Sequence, residues 1–158
     1  MKNKLNLLSS VFLILMAMIF NPLGAHAQNE ELIISFHTNI YEKAQGSGIT
    51  PSVSFVLGAA EKKQVVSIDC GAGEEEFEVD VAQLKEDQSI KGSLYTGQVS
   101  KEGWVKIYGD PTQIYYFNAA GNEIDEIKFH SNLKVQVLNL DHNVLNALNV
   151  DDLKNLQI

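Results

Sequence analysis

Residues 114–127 read IYYFNAAGNEIDEI, and residues 135–148 read VQVLNLDHNVLNAL. Offset by 21, the two match at every apolar position. Ile114 falls on Val135, Phe117 on Leu138, Ala119 on Leu140, Ile124 on Leu145 and Ile127 on Leu148, while Asn122 falls on Asn143. The match continues to Phe129 over Val150. An amphipathic helix pair is the competing reading, and it fails on detail. Gly121 stands directly before Asn122, and 135–140 is rich in β-branched residues, which suit strands better than helix interiors.

Counted from Ile114, each 21-residue turn is apolar at positions 1, 4, 6, 11 and 14 and carries Asn at position 9. That is the spacing L-x-x-L-x-L-x-x-N-x-L, the leucine-rich repeat signature. In a solenoid those apolar positions point inward and stack on their equivalents one turn away, so one turn alone cannot bury them. The Asn sits where the chain leaves the strand, and its amide can satisfy backbone groups of the corner and of the neighbouring turn. Asn122 and Asn143 therefore read as structural. Turn one spans 114–134 and turn two 135–155, and a third begins at Leu156 and runs three residues to Ile158. Two turns are fewer than the three or so that usually hold such a stack. Either the preceding segment supports it, or the array is cut short. The open last turn suggests self-association through Leu153 and Leu156.

The opening of the chain is of another kind. Lys2 and Lys4 precede a mostly apolar stretch over 5–20, Asn21-Pro22 breaks it, and Ala25-His26-Ala27 offers a small-x-small cleavage site before Gln28. Residues 1–27 are expected to be a signal peptide, and the unbroken apolar run is short for a membrane span. The mature chain is then secreted, periplasmic or on the cell surface, with no membrane insertion after cleavage. It keeps 10 Lys against 20 Asp and Glu, has no Arg, and carries a net charge near −10. Such a surface argues against nucleic acid or anionic membrane as a partner. Cys70 is the only cysteine, so no intramolecular disulfide is expected, and a small buried side chain is the reading for it.

Between 28 and 103 the pattern has period two, broken by glycine turns. Val53, Phe55 and Leu57 alternate with Ser52, Ser54 and Val56; Phe77, Val79 and Val81 alternate with Glu76, Glu78 and Asp80. Other strand candidates are 32–36, 64–70, 89–99 and 104–108. The expected architecture is mainly β: a small antiparallel sandwich or curled sheet over 28–103, then a short leucine-rich repeat solenoid over 104–158.

Val105-Lys106-Ile107-Tyr108-Gly109-Asp110, followed by Ile114-x-x-Phe117 and the Asn-containing turns, resembles secreted leucine-rich repeat proteins of Bacteroidetes-type bacteria, the internalin-like and BspA-like surface proteins. The likeness covers 104–158. Asn118 and Asn139 stand where those repeats usually have Asp, and Ala119 and Leu140 where they have Cys, which keeps the core apolar. Upstream, Val66-Ser67-Ile68-Asp69-Cys70-Gly71-Ala72-Gly73 is similar to the I-D-W-G-D-G strand-turn of PKD-like, immunoglobulin-like modules, with Cys70 at the Trp position. The resemblance implies a non-enzymatic surface or secreted interaction protein, with no catalytic residue to carry over.

No nucleophile motif, phosphate loop or metal-ligand spacing is present, so catalytic residues, metals and cofactors are all expected to be none. Glu74-Glu75-Glu76 with Glu78 and Asp80 reads as a solvated strand edge rather than a calcium site. His37, His130 and His142 form no metal pair at a standard spacing. In a solenoid, positions 3, 5, 7 and 8 project from the concave sheet. Those positions are Tyr116, Asn118, Ala120 and Gly121, then Val137, Asn139, Asp141 and His142. An exposed Tyr116 beside amides suits a protein or glycan ligand, because aromatics supply area and amides supply directional hydrogen bonds. The expected function is a secreted or surface protein-interaction or adhesion module. The alternative is a carbohydrate-binding β-sandwich for which the repeats are a brace.

Overall fold

In this computed structural model, residues 30–130 and 132–157 are described; the expected signal peptide lies outside them. The alternating segments form strands β1 (Glu31–Thr38), β2 (Ser52–Ala59), β3 (Gln64–Asp69) and β4 (Glu74–Val79). Short β5 (Gln83–Leu84) and β6 (Ile90–Lys91) make a hairpin. Then follow β7 (Ser93–Gln98), β8 (Trp104–Gly109), β9 (Ile114–Asn118), β10 (Ile124–Phe129) and β11 (Val137–Asn139). The strand expected over 89–99 is divided at Gly92, where a Cβ would lie 2.3 Å from the Leu57 carbonyl oxygen. One short helix not foreseen in the sequence, α1 (Ile40–Ala44), follows β1.

The protein is mainly β. Its strands build a five-stranded sheet in the order β10-β1-β8-β3-β4 and a four-stranded sheet in the order β11-β9-β2-β7, neither of them closed. All pairings between neighbouring strands are antiparallel except β9–β11, which is parallel. The inward faces share one core. Phe36 of the first sheet meets Phe55 and Phe117 of the second, with ring centroids 5.8 and 6.4 Å apart. Phe55 and Phe117 pack edge-on at 5.9 Å, and all three rings are essentially inaccessible. Aromatic clusters of this geometry add to area burial, which for each side chain is worth about 1.5–3 kcal/mol.

Both sheets run across the expected 103/104 division. β8 lies between β1 and β3, β10 borders β1, and β9 borders β2. Residues 104–129 therefore complete the layers begun by 31–98. The quoted repeat is visible in the register of the parallel pair, where Val137 lies opposite Tyr116, Leu138 opposite Phe117 and Asn139 opposite Asn118, each 21 residues apart. The same offset recurs at the next step. Gln136 N–H donates to the Tyr115 carbonyl at 2.9 Å, and Gln157 N–H donates to the Gln136 carbonyl at 2.9 Å. At the other edge β2 borders β9, antiparallel.

The two asparagines fasten the corners. Asn143 Oδ1 accepts from the Asn122 and Ile124 N–H groups at 3.0 Å each, and its Nδ2 donates to the Ala119 and Leu140 carbonyls at 2.9 Å. Asn122 does the same toward β2: Oδ1 accepts from Ser54 N–H and Nδ2 donates to the Ser54 carbonyl, both at 2.8 Å. Ile114, Phe117, Asn122, Ile124, Ile127 and Val135 are buried, and Leu138, Leu140 and Leu145 pack partly against the core. Leu148 departs from its expected inward place and is 47 % exposed, since no further chain lies over it among the described residues. Leu153, expected as part of an open apolar end, is buried, because successive tight turns after Val150 fold it back onto the core; Leu156 is half-buried.

Candidate functional site

The outer face of the four-stranded sheet gathers most of the residues singled out in the sequence. With Val53, Phe55 and Leu57 buried inward, β2 turns Ser54, Val56 and Gly58 outward. Pairing aligns Leu94, Val56, Asn118 and Asn139 in one row across all four strands. Gly58, Tyr116 and Val137 form the next row, and Ser54 with Thr96 a third, their hydroxyls 2.9 Å apart. Leu94 is 65 % exposed and Val137 half-buried, so the face offers apolar area between hydroxyl and amide groups.

Tyr116 corrects one expectation: it is 7 % exposed rather than open to a ligand. Its opposite number is Gly58, where a Cβ would lie 3.1 Å from Tyr116 Cβ and 2.8 Å from Ala82 Cβ. Tyr116 and Ala82 thus close over a glycine. The Tyr116 hydroxyl accepts from Asn118 Nδ2 at 3.1 Å, and Asn118 Oδ1 accepts from Ala120 N–H at 3.1 Å, so the Asn118 amide is used internally. Asn139 repeats only the second bond, taking Asp141 N–H at 2.9 Å. Asp141 and His142 are exposed at the corner, and His142 has φ +56°, matching φ +70° at Gly121 one turn earlier.

Residues that sequence reasoning missed on this face are Leu94, Thr96 and Val56. Their outward direction was legible in the alternation, but the pairing of β2 with β9, some sixty residues downstream, has no local signal.

The outer face of the five-stranded sheet is different. Antiparallel pairing sends Glu74, Glu76 and Glu78 of the edge strand β4 outward, opposite Asp69, Ser67 and Val65. Lys63 bonds Glu78 and reaches Asp80 at 3.1 Å, raising its own pKa through the Glu78 and Asp80 hydrogen bonds and charges. Glu75 points the other way and takes the Tyr95 hydroxyl, which lies 3.5 Å from Cys70 Sγ. Burial, then the Glu75 bond, pushes the Tyr95 hydroxyl up, and burial also raises the thiol of Cys70, which is buried and free. Among the described residues no group of three or more His, Cys, Asp or Glu is arranged around a common point for a metal.

Trp104 lies half-buried at the start of β8 on this face. On one side stand His37, with ring centroids 5.4 Å apart, and the Lys128 ammonium, 5.6 Å from the indole centroid. His37 Nδ1 is 2.7 Å from Asp125 Oδ1. Partial burial would raise the Asp125 pKa, but the bonds from His37 and Asn39 prevail and hold it below the usual carboxylate range. Beside Trp104 is also a hollow of about 550 Å³ lined by Leu32, Ser35, Asp69, Ser100, Glu102 and Lys106. No protein-family model, no curated protein and no solved structure matches the chain.

Proposed function

We propose that this chain is a secreted or cell-surface, non-catalytic protein-interaction module of leucine-rich repeat type, with the outer face of the four-stranded sheet as its contact surface. The single observation behind this reading is the 21-residue parallel register of β9 and β11, with asparagine amides fastening each corner. In a short solenoid of this kind, β2 and β7 take the part of earlier turns. They widen a two-strand face into a four-strand one bearing Leu94, Val56, Asn118, Val137, Asn139, Asp141 and His142. Two turns alone offer little against the roughly 800 Å² per partner of a standard interface, and the added strands make up area. Export is supported by the basic, apolar and small-residue sequence of 1–27.

The test is site-resolved photo-crosslinking in the producing cells. A benzophenone side chain at position 94 or 137 is expected to trap a protein partner that the same group at Val65, on the opposite sheet, does not. Identical adducts from all three positions, or none from 94 and 137, would overturn the proposal.

A further inference from the structure

We infer that the hollow beside Trp104 is a carbohydrate-binding site that takes one or two pyranose rings of a neutral glycan. Pairing between β3 and β8 stops at Asp69 opposite Lys106, so Trp104, two residues further back along β8, has no cross-strand partner on that side. The chain instead turns at Gly71, φ +96°, which has no side chain to fill the gap. A Cβ there would fall 2.1 Å from Ser100 Oγ, so the Ser100 side chain closes the floor. Ser100 N–H is bonded to the Cys70 carbonyl at 2.9 Å, and Asp69 Oδ1 accepts from Gly71 N–H at 2.7 Å and Gly73 N–H at 3.3 Å. The walls are therefore preformed by turns tied to each other rather than by loose loops.

What lines the space selects the ligand. The indole is the chain's only tryptophan and offers an apolar plane. Around it stand carboxylates that only accept hydrogen bonds (Asp69, Glu102), an ammonium that only donates (Lys106), and hydroxyls that do both (Ser35, Ser100). Ser100 Oγ is buried and makes no hydrogen bond of normal geometry, although its nearness to the exposed Glu102 carboxylate lowers that group's pKa. Lys106 forms no ion pair with a neighbouring carboxylate among the described residues. Glu102 lies 3.9 Å from the Lys101 ammonium, and Lys128, beside the ring, is paired with Glu126 at 2.6 Å, which leaves Asp69 against Lys106, so a ligand of either charge meets as much repulsion as attraction. A neutral ligand with one apolar face and a rim of hydroxyls meets neither. A pyranose ring is such a ligand: its C–H face lies on an aromatic plane while adjacent hydroxyls bridge acceptors and donors. A volume near 550 Å³ is within the range of small-ligand sites and leaves room for a second ring.

Because Trp104 is the sole tryptophan, it reports on its own site. The mature chain would be titrated with chitotriose, cellotriose, maltotriose and mannotriose, following tryptophan emission and heat. The expected result is a saturable emission change with at least one of the four. Lys106→Met and Glu102→Gln should each weaken it at least tenfold with unchanged thermal melting, and the Val65→Ser control should not. The monosaccharide titrated alone then tells a single-ring site from one that reads a chain. No emission change and no heat with any of the four would overturn the inference, as would sugar binding that both variants leave intact. Leu94→Asp and Val137→Asp touch the opposite face, so their failure to alter sugar binding, together with loss of the cross-linked partner, separates this site from the protein-contact surface.

Discussion

In the first 21-residue turn, Ile114, Phe117, Ala119 and Ile124 have no accessible surface. At the same positions of the second turn only Val135 is as deep; Leu138, Leu140 and Leu145 are partly covered, and Leu148 is nearly half exposed. The two turns are spelled alike, so the difference comes from what flanks them. Turn one has β2 against β9 on one edge and β1 against β10, with β11 on the other side. Turn two has turn one on one side, and on the other, among the described residues, the short bonded contact from Gln157 to Gln136. A repeat residue is worth what its neighbours bury, not what its position in the repeat promises.

The most direct way to break this comparison is truncation at equivalent positions. Phe117→Ala empties space at the meeting point of three aromatic rings and should cost about 3–5 kcal/mol. Leu138→Ala, its counterpart in turn two, is partly exposed already and should cost about 1–2 kcal/mol, a discount on the full Leu→Ala range for its partial burial. Urea unfolding of the two variants measures both. Equal losses would mean that turn two is as well buried as turn one.

Next in size are the corner asparagines. Asn143→Ala strands two N–H groups and two carbonyls, and Asn122→Ala strands the N–H and carbonyl of Ser54 and the Ala120 carbonyl, where each buried polar group left unmatched costs about 1–3 kcal/mol before water repays part of it. The Asn122 site is 3 % exposed and the Asn143 corner is more open, so water can replace the amide better at Asn143. Losses of roughly 3 kcal/mol for Asn122→Ala and 2 kcal/mol for Asn143→Ala are expected. The reverse order in thermal melts would show that the number of bonds outweighs their depth.

How far this could be read in advance follows the same division. The 21-residue offset, the role of Asn122 and Asn143 and the edge character of the Glu74–Val79 strand are local properties, written in periodicity and residue type. The interleaving of 104–129 with 31–98 was not legible, because strand order depends on contacts between distant segments that period two does not encode. Tyr116 was misplaced because Gly58, which it packs against, belongs to a strand whose pairing no motif announced. The Trp104 hollow was equally silent, being made by the place where pairing stops.

Acid distinguishes the two turns as well. Asp125 of turn one is tied to His37 of β1, while its counterpart in turn two, Asn146, is exposed and carries no charge. Because the folded pKa of Asp125 is depressed, its contribution is complete above the unfolded carboxylate value near 3.9 and is lost as pH falls through the lower folded value. As pH falls below about 4, wild type should therefore lose more stability than Asp125→Asn, as chemical melts at each pH would record. Parallel curves for the two proteins would remove Asp125 as a source of acid sensitivity.

The smallest expected effect lies at the corner where the turns are most alike. Gly121 and His142 occupy the same place one turn apart, and both have left-handed backbone, at φ +70° and +56°. Glycine adopts that conformation freely, whereas a side chain there costs on the order of 1 kcal/mol, partly offset by the greater freedom glycine loses on folding. His142 is exposed and forms no hydrogen bond through its ring among the described residues, so little else is lost on replacing it. His142→Gly should stabilise the chain by about 0.5 kcal/mol, a rise of roughly 2 °C in Tm, and Gly121→Ala should destabilise it by about 1 kcal/mol. If His142→Gly lowers Tm instead, the histidine makes a contact that the backbone argument leaves out, and the two corners are alike in shape but not in what holds them.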